Sequence, residues 1–209
     1  MPPDERRTSE TRASTRRAPL RRLLAIRLGE WAGALALGVA AIIAVRTWVV
    51  TPYRVPSSSM EPTLHCARPW PGCEVSTADR LLVGRFIYWL RAPHRGDIVV
   101  FKAPLGASRV CGRGIYVKRI IGLPGEVVSE RHGVIYIDGR PLKEPYIARG
   151  RRDAVTHTWP RLRASTYFVL GDNRRDSCDS RWWGPLARGD LVGPVIGRYW
   201  PLSRLSVDG

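Results

Sequence analysis

Residues 115–125 read Ile115-Tyr116-Val117-Lys118-Arg119-Ile120-Ile121-Gly122-Leu123-Pro124-Gly125. β-Branched and aromatic residues fill the first seven positions around two cations, and Pro124-Gly125 closes the run with a turn signal. The segment reads as a strand. Working outward, Ile98-Val99-Val100-Phe101, Val134-Ile135-Tyr136-Ile137 and Tyr167-Phe168-Val169-Leu170 repeat the short, β-branched pattern. Asp138-Gly139 after an alternating run is a hairpin signal, and Gly171-Asp172-Asn173 marks another turn. These features predict a mostly β, antiparallel domain over residues 52–201 with few helices. Residues 150–163 are basic and irregular and read as a surface excursion, and 202–209 read as a C-terminal tail.

The chain has 209 residues, enough for one domain with appendages and a substantial core. Hydrophobic residues make up 44%, and three Phe, seven Tyr and eight Trp provide the aromatic mass of a β-rich core. The formal net charge of +16 invites a nucleic-acid reading. Its distribution argues otherwise, and no nucleic-acid partner is expected. Residues 1–27 hold eight Arg and three acids, and the later charges are scattered without a basic helix or zinc-finger spacing.

N-terminal to the β region lies a different kind of sequence. Residues 1–27 read as an Arg-rich, disordered tail. Residues 28–45 are nearly all apolar, interrupted by Glu30, and eighteen helical residues span about 27 Å. Arg46 is able to snorkel, Val49 and Val50 continue the run, and Trp31 and Trp48 bracket it like interfacial anchors. The expectation is one membrane-spanning helix over 28–50, with the Arg-rich end in the cytoplasm and everything beyond about residue 50 outside. A cleaved signal peptide and a buried core helix compete with this reading. The run lacks a small-x-small cleavage site and a polar face, which disfavours both.

Four cysteines, Cys66, Cys73, Cys111 and Cys178, show no C-x2-C metal spacing. Cys66 and Cys73 flank a short Pro- and Gly-containing loop that a disulfide would close in an oxidising compartment; Cys111 and Cys178 are the remaining candidate pair. The spacing leaves the connectivity open.

The chemistry-bearing residues narrow the function. None of His65, His94, His132 and His157 sits in a G-x-S-x-G or H-E-x-x-H setting, which argues against a His-based hydrolase and a zinc protease. Pro56-Ser57-Ser58-Ser59-Met60-Glu61-Pro62-Thr63-Leu64 places a stiffened Ser run shortly after the apolar segment. A serine needs a base. Of 34 basic residues only Lys102, Lys118 and Lys143 are lysines. Arg stays protonated, whereas a lysine desolvated in an apolar strand loses its proton near neutrality. The third element is the charged loop Gly171-Asp172-Asn173-Arg174-Arg175-Asp176-Ser177-Cys178-Asp179-Ser180-Arg181-Trp182-Trp183-Gly184.

In order along the chain, 56–64, Asp79-Arg80-Leu81-Leu82-Val83, Arg95-Gly96-Asp97-Ile98-Val99-Val100-Phe101, 116–126 and 171–184 resemble the five sequence boxes of the bacterial type I signal peptidases, a Ser-Lys protease family. The resemblance implies antiparallel sheets of the signal-peptidase and self-cleaving-repressor type behind one transmembrane helix. It implies a serine endopeptidase of the cytoplasmic membrane that removes signal peptides from exported preproteins, without metal or cofactor. It implies Ser59 as nucleophile and Lys118 as base. Ser57 and the Ser59 N–H form the oxyanion hole, and Ser177 orients the amine. Asp179 with Arg181, and Asp172 with Arg119, are supporting ion pairs. Tyr53, Val55, Met60, Leu64, Tyr116 and Val117 wall the pockets for small substrate residues. Arg175-Asp176 stands where the family more often has Asp-Asn, and Cys178 replaces a small residue. A conjugation- or pilus-associated relative with a dedicated substrate shares the same dyad. A basic membrane-tethered binding module is the non-enzymatic alternative.

Overall fold

The computed structural model describes residues 17–44 and 49–207. Two compact units divide the chain at Thr47/Trp48.

Among the described residues the first unit holds one helix, α1, Arg17–Ala44. Its first eleven residues fall in the stretch expected to be a disordered tail; Leu, Ala and Arg are strong helix formers, and Pro19 sits in the first turn, where its missing N–H breaks no intrahelical bond. Residues 1–16 of that tail lie outside the described residues. So do 45–48, within the expected span over 28–50, and Val50 already belongs to a strand. Among the described residues no helix is long and apolar enough to cross a membrane.

The second unit is built from antiparallel strands, as the short β-branched runs predict. In chain order they are β1 Val50–Arg54, β2 Arg80–Gly84, β3 Ile98–Lys102, β4 Ile115–Gly122, β5 Val128–Arg131, β6 Val134–Ile137, β7 Arg140–Pro141, β8 His157–Thr158, β9 Thr166–Leu170, β10 Leu186–Ala187, β11 Leu191–Trp200 and β12 Ser206–Val207. Short helices α2 Ile87–Leu90, α3 Leu105–Val110 and α4 Ser180–Trp183 lie between them. The larger sheet runs β1-β2-β11-β3-β4-β9-β10, with β12 on β11; the smaller runs β7-β6-β5-β8. β1 is an edge, where Pro52 breaks no ladder.

β3 is covered on both faces, so it reads as a continuous apolar run. Val100 packs with Val55, Met60, Leu64, Leu81 and Val117, whereas Val99 and Phe101 pack with Ile120, Tyr167 and Val169 on the other face. A third cluster, Ile121, Val128, Ile135, Leu162, Phe168 and Leu170, joins the two sheets. The 150–163 stretch differs from its sequence reading. It supplies β8, and its Leu162 is 3% exposed and packs in this third cluster with Trp159 against it, so an apolar minority overrides the basic composition. The expected tail at 202–209 is also used: β12 pairs with Gly197 and Arg198, and Arg204 makes an ion pair with Asp79.

Candidate active site

The first half of β4 has a partner on one edge. Residues 115–119 pair with β3, but pairing with β9 begins only at Arg119. Alternation along β4 sends Tyr116, Lys118 and Ile120 to one face and Val117 and Arg119 to the other. A one-turn 3₁₀ helix, Ser58–Met60, follows the stiff Val55-Pro56 segment and faces this strand.

The two elements meet at Ser59 and Lys118, whose Oγ and Nζ lie 2.5 Å apart. Ser59 is 7% exposed and Lys118 is 2% exposed. Burial pushes the lysine amine down from 10.5 to about 8; Asp179 and Asp172 act against it, and Arg181 adds to it. The amine therefore loses its proton far more readily than an exposed lysine. Ser57 Oγ is 3.2 Å from Ser59 Oγ.

The 171–184 loop braces this pair from below. Asn173 donates its backbone N–H to the Ser59 carbonyl at 3.0 Å and its side-chain amide to the Ser58 carbonyl at 3.1 Å. Ser58 Oγ donates to Asp176. Arg119 binds Asp172 through Nε at 2.9 Å and a terminal nitrogen at 2.6 Å, and Thr63 Oγ1 donates to the same carboxylate. Arg181 grips Asp179 in the same forked way, at 2.8 and 2.9 Å, and also pairs with Asp153. Asp179 accepts the Gly171 N–H at 3.1 Å. A Cβ on Gly171 would lie 2.3 Å from Ser177 Oγ and 2.4 Å from the Ser59 carbonyl oxygen, so only glycine lets the loop approach this closely.

Both disulfides form. Cys66–Cys73 closes its short loop, and Cys111–Cys178, with Cα atoms 6.1 Å apart, ties the α3 segment to the 171–184 loop. A cleft of about 500 Å³ opens over Ser59 and Lys118.

The structure thus gathers Ser57, Ser59 and Lys118 and makes both predicted ion pairs. Val55, Met60, Tyr116 and Val117 line the cleft; Leu64 packs in the core instead, and half-buried Tyr53 packs against that core. Ser177 is buried beside Gly171, but its Oγ has no hydrogen-bond partner among the described residues, so the expected contact with the Lys118 amine is not made. Sequence reasoning assigned no role to Asn173, Arg113, Asp176 or the cleft-lining disulfide. Asn173 was read only as part of the Gly171-Asp172-Asn173 turn; it and the others acquire their place through the tertiary fold.

Glu61, His65 and Glu74 bring three ligand atoms within 4.8 Å of one another. His65 Nδ1 is already 2.5 Å from Glu61, and Glu74 pairs with Arg151. The trio lies outside the lining of the cleft.

The family model for signal peptidase, peptidase S26, matches residues 28–200. The chain belongs to the signal peptidase S26 family. Signal peptidase I of Leptolyngbya laminosa is 37% identical over 176 residues, covering 82% of this chain and 79% of that protein. Signal peptidase I of Bacillus amyloliquefaciens is 35% identical over 181 residues, covering 82% and 85%. A solved signal peptidase I from Enterococcus faecalis is 32% identical with a TM-score of 0.43, covering 50% of this chain and 97% of that one. Membership makes this signal peptidase family chain a serine endopeptidase with mostly antiparallel sheets.

Proposed function

We propose that the chain is a membrane-anchored signal peptidase that cuts signal peptides from exported preproteins with a Ser59–Lys118 dyad. The observation that carries this reading is the 2.5 Å approach of a buried, desolvated amine to a serine hydroxyl. A preprotein lies extended along the unpaired edge of β4, with small residues at P1 and P3 against Val55, Met60, Tyr116 and Val117. Neutral Lys118 accepts the Ser59 proton as Oγ attacks the scissile carbonyl. The Ser57 hydroxyl and Ser59 N–H stabilise the oxyanion, at roughly 3–4 kcal/mol for one such donor. The ammonium then protonates the leaving amine, and the regenerated amine activates water for deacylation. Ser177 positions the amine by rotating its free hydroxyl towards it when substrate excludes water. Arg119–Asp172 and Arg181–Asp179 hold the loop that supports both groups.

The anchor is the segment over 28–50, in the cytoplasmic membrane with the N-terminus inside and the catalytic domain on the outer face. Exposed Leu28, Trp31, Leu35, Leu37, Val39, Ile42 and Ile43 on α1 support it, together with the Arg-rich flank. Incubating detergent-solubilised protein with a preprotein tests the activity. Cleavage after the signal peptide, lost by at least about 10⁴-fold in Ser59→Ala, is expected; equal cleavage by that variant would overturn the nucleophile assignment.

A further inference from the structure

We infer that the Cys111–Cys178 disulfide sets how well the cleft binds substrate: it pins the wall that carries Tyr116 to the 171–184 loop, and opening it weakens binding while leaving the dyad in place. The inference rests on the Ser59–Lys118 reading. Both cysteines line the cleft over Ser59 and Lys118. Both are half-buried, whereas Cys66 and Cys73 are buried and pack in the core. A small thiol in solvent therefore reaches the cleft bridge more readily than the core one.

The two ends of the bridge differ in what else holds them. Cys178 lies between Ser177 and Asp179, in a loop with braces of its own: Asn173 on the Ser59 carbonyl, Asp172 on Arg119 and Asp179 on Arg181. Those contacts keep the loop on the nucleophile turn without the bridge. Cys111 follows α3 in a segment with little hold on the domain. From Arg109 to Ile115 every residue is exposed except Cys111. Gly112 and Gly114 have φ of +93° and +152°, a backbone that suits glycine, and glycine leaves the chain many alternatives. Cys111 is thus the side-chain anchor of this segment.

The anchored segment positions the wall. The Tyr116 hydroxyl donates to the Cys111 and Gly112 carbonyls, at 2.8 and 2.9 Å. Tyr116 itself lines the cleft, and its ring stacks on Phe101 and lies 5.7 Å from the Lys118 amine. Arg113, Gly114 and Ile115 line the same cleft. With the bridge closed, this wall is in place before substrate arrives, and binding need not order it. With the bridge open, the glycines free the segment and Tyr116 loses its fixed acceptors. The 2.5 Å contact between Ser59 and Lys118 does not pass through the bridge. The loss therefore falls on KM rather than kcat.

Opening is thiol–disulfide exchange with a dithiol. One thiolate of the dithiol attacks a bridge sulfur and releases the other as a cysteine thiolate; the second thiolate then displaces the remaining cysteine. The protein S–S bond is reduced to two thiols, and the dithiol is oxidised to a cyclic disulfide.

The test measures kcat and KM of the detergent-solubilised full chain on a preprotein-derived peptide, before and after dithiothreitol. Alkylation and mass spectrometry report which pair has opened. Opening Cys111–Cys178 should raise KM by about tenfold, the scale of ordering roughly one residue of backbone, and change kcat by less than about twofold. Cys111→Ser/Cys178→Ser should show the raised KM without reductant and no further response to it. Tyr116→Phe cuts the hydroxyl link and should respond to dithiothreitol less than the wild type. An unchanged KM in the reduced protein and the double variant would overturn the inference. So would an equal response in Tyr116→Phe, or a response that persists in the double variant and so belongs to Cys66–Cys73. A loss confined to kcat would also overturn it, since general loosening of the fold lowers the active fraction and leaves KM alone. In each case Ser59-dependent cleavage would leave the dyad standing; cleavage that survives Ser59→Ala would remove both.

Discussion

Lys118 and Arg119 are consecutive cations on one strand, and the fold treats them in opposite ways. Arg119 reaches a forked ion pair with Asp172, whose side chain is 1% exposed. Lys118 meets a neutral hydroxyl where its side chain is buried, and its affinity for protons falls. The carboxylates that would restore that affinity, Asp179 and Asp172, are each held by an arginine. The pairs therefore do more than brace a loop: Arg181 offsets part of the pull that these carboxylates exert on the lysine proton. Arginine suits the structural role because it stays charged and binds carboxylates in a fork, and lysine suits the chemical role because it gives up its proton.

Exchanging the two kinds of cation breaks the comparison most severely. Lys118→Arg keeps charge and approximate size but removes the base, and preprotein cleavage assays should show a loss of at least about 10⁴-fold in kcat/KM. Residual activity within tenfold of wild type would mean that the amine is not the base.

Removing the partner of Arg119 comes next. Asp172→Asn leaves a buried guanidinium without its carboxylate and should destabilise the domain by about 3–5 kcal/mol in denaturant unfolding. It also removes a negative charge that favours protonated Lys118, so in the folded fraction the acid limb of kcat/KM should move to lower pH. A shift to higher pH would contradict the electrostatic account.

The smallest effect has the opposite sign. Lys118→Met removes an amine that is costly to bury as a cation, so the inactive variant should be more stable than wild type near pH 7, by roughly 1–3 kcal/mol. The gain should shrink as pH rises. With the folded value at about 8 and the ordinary lysine value at 10.5, the unfolded chain holds the extra proton between them, so wild-type stability climbs through that window.

The same contrast shows what the sequence revealed. A strand of apolar residues around Lys118, in a chain that otherwise uses Arg, already marked the candidate base, and β-branched runs with Pro-Gly and Asp-Gly turns marked the antiparallel sheets. The ion pairs and the nucleophile turn followed from ordered motifs. Contacts set by three-dimensional approach were not legible: Asn173 on the serine turn, Asp176 on Ser58, and the burial of Leu64 in the core. β8 and β12 are two-residue strands that no periodicity could announce, and they exist because a longer neighbour offers an edge.

The scarcity of lysine allows the central claim to be read directly. Lys102, Lys118 and Lys143 give three side-chain Cε signals in an NMR titration of the intact chain, and Lys118→Met identifies the one that matters. The Lys118 signal should titrate near pH 8, with the other two close to the usual lysine value of about 10.4. A Lys118 signal that titrates together with the other two, above pH 10, would contradict the neutral-amine mechanism.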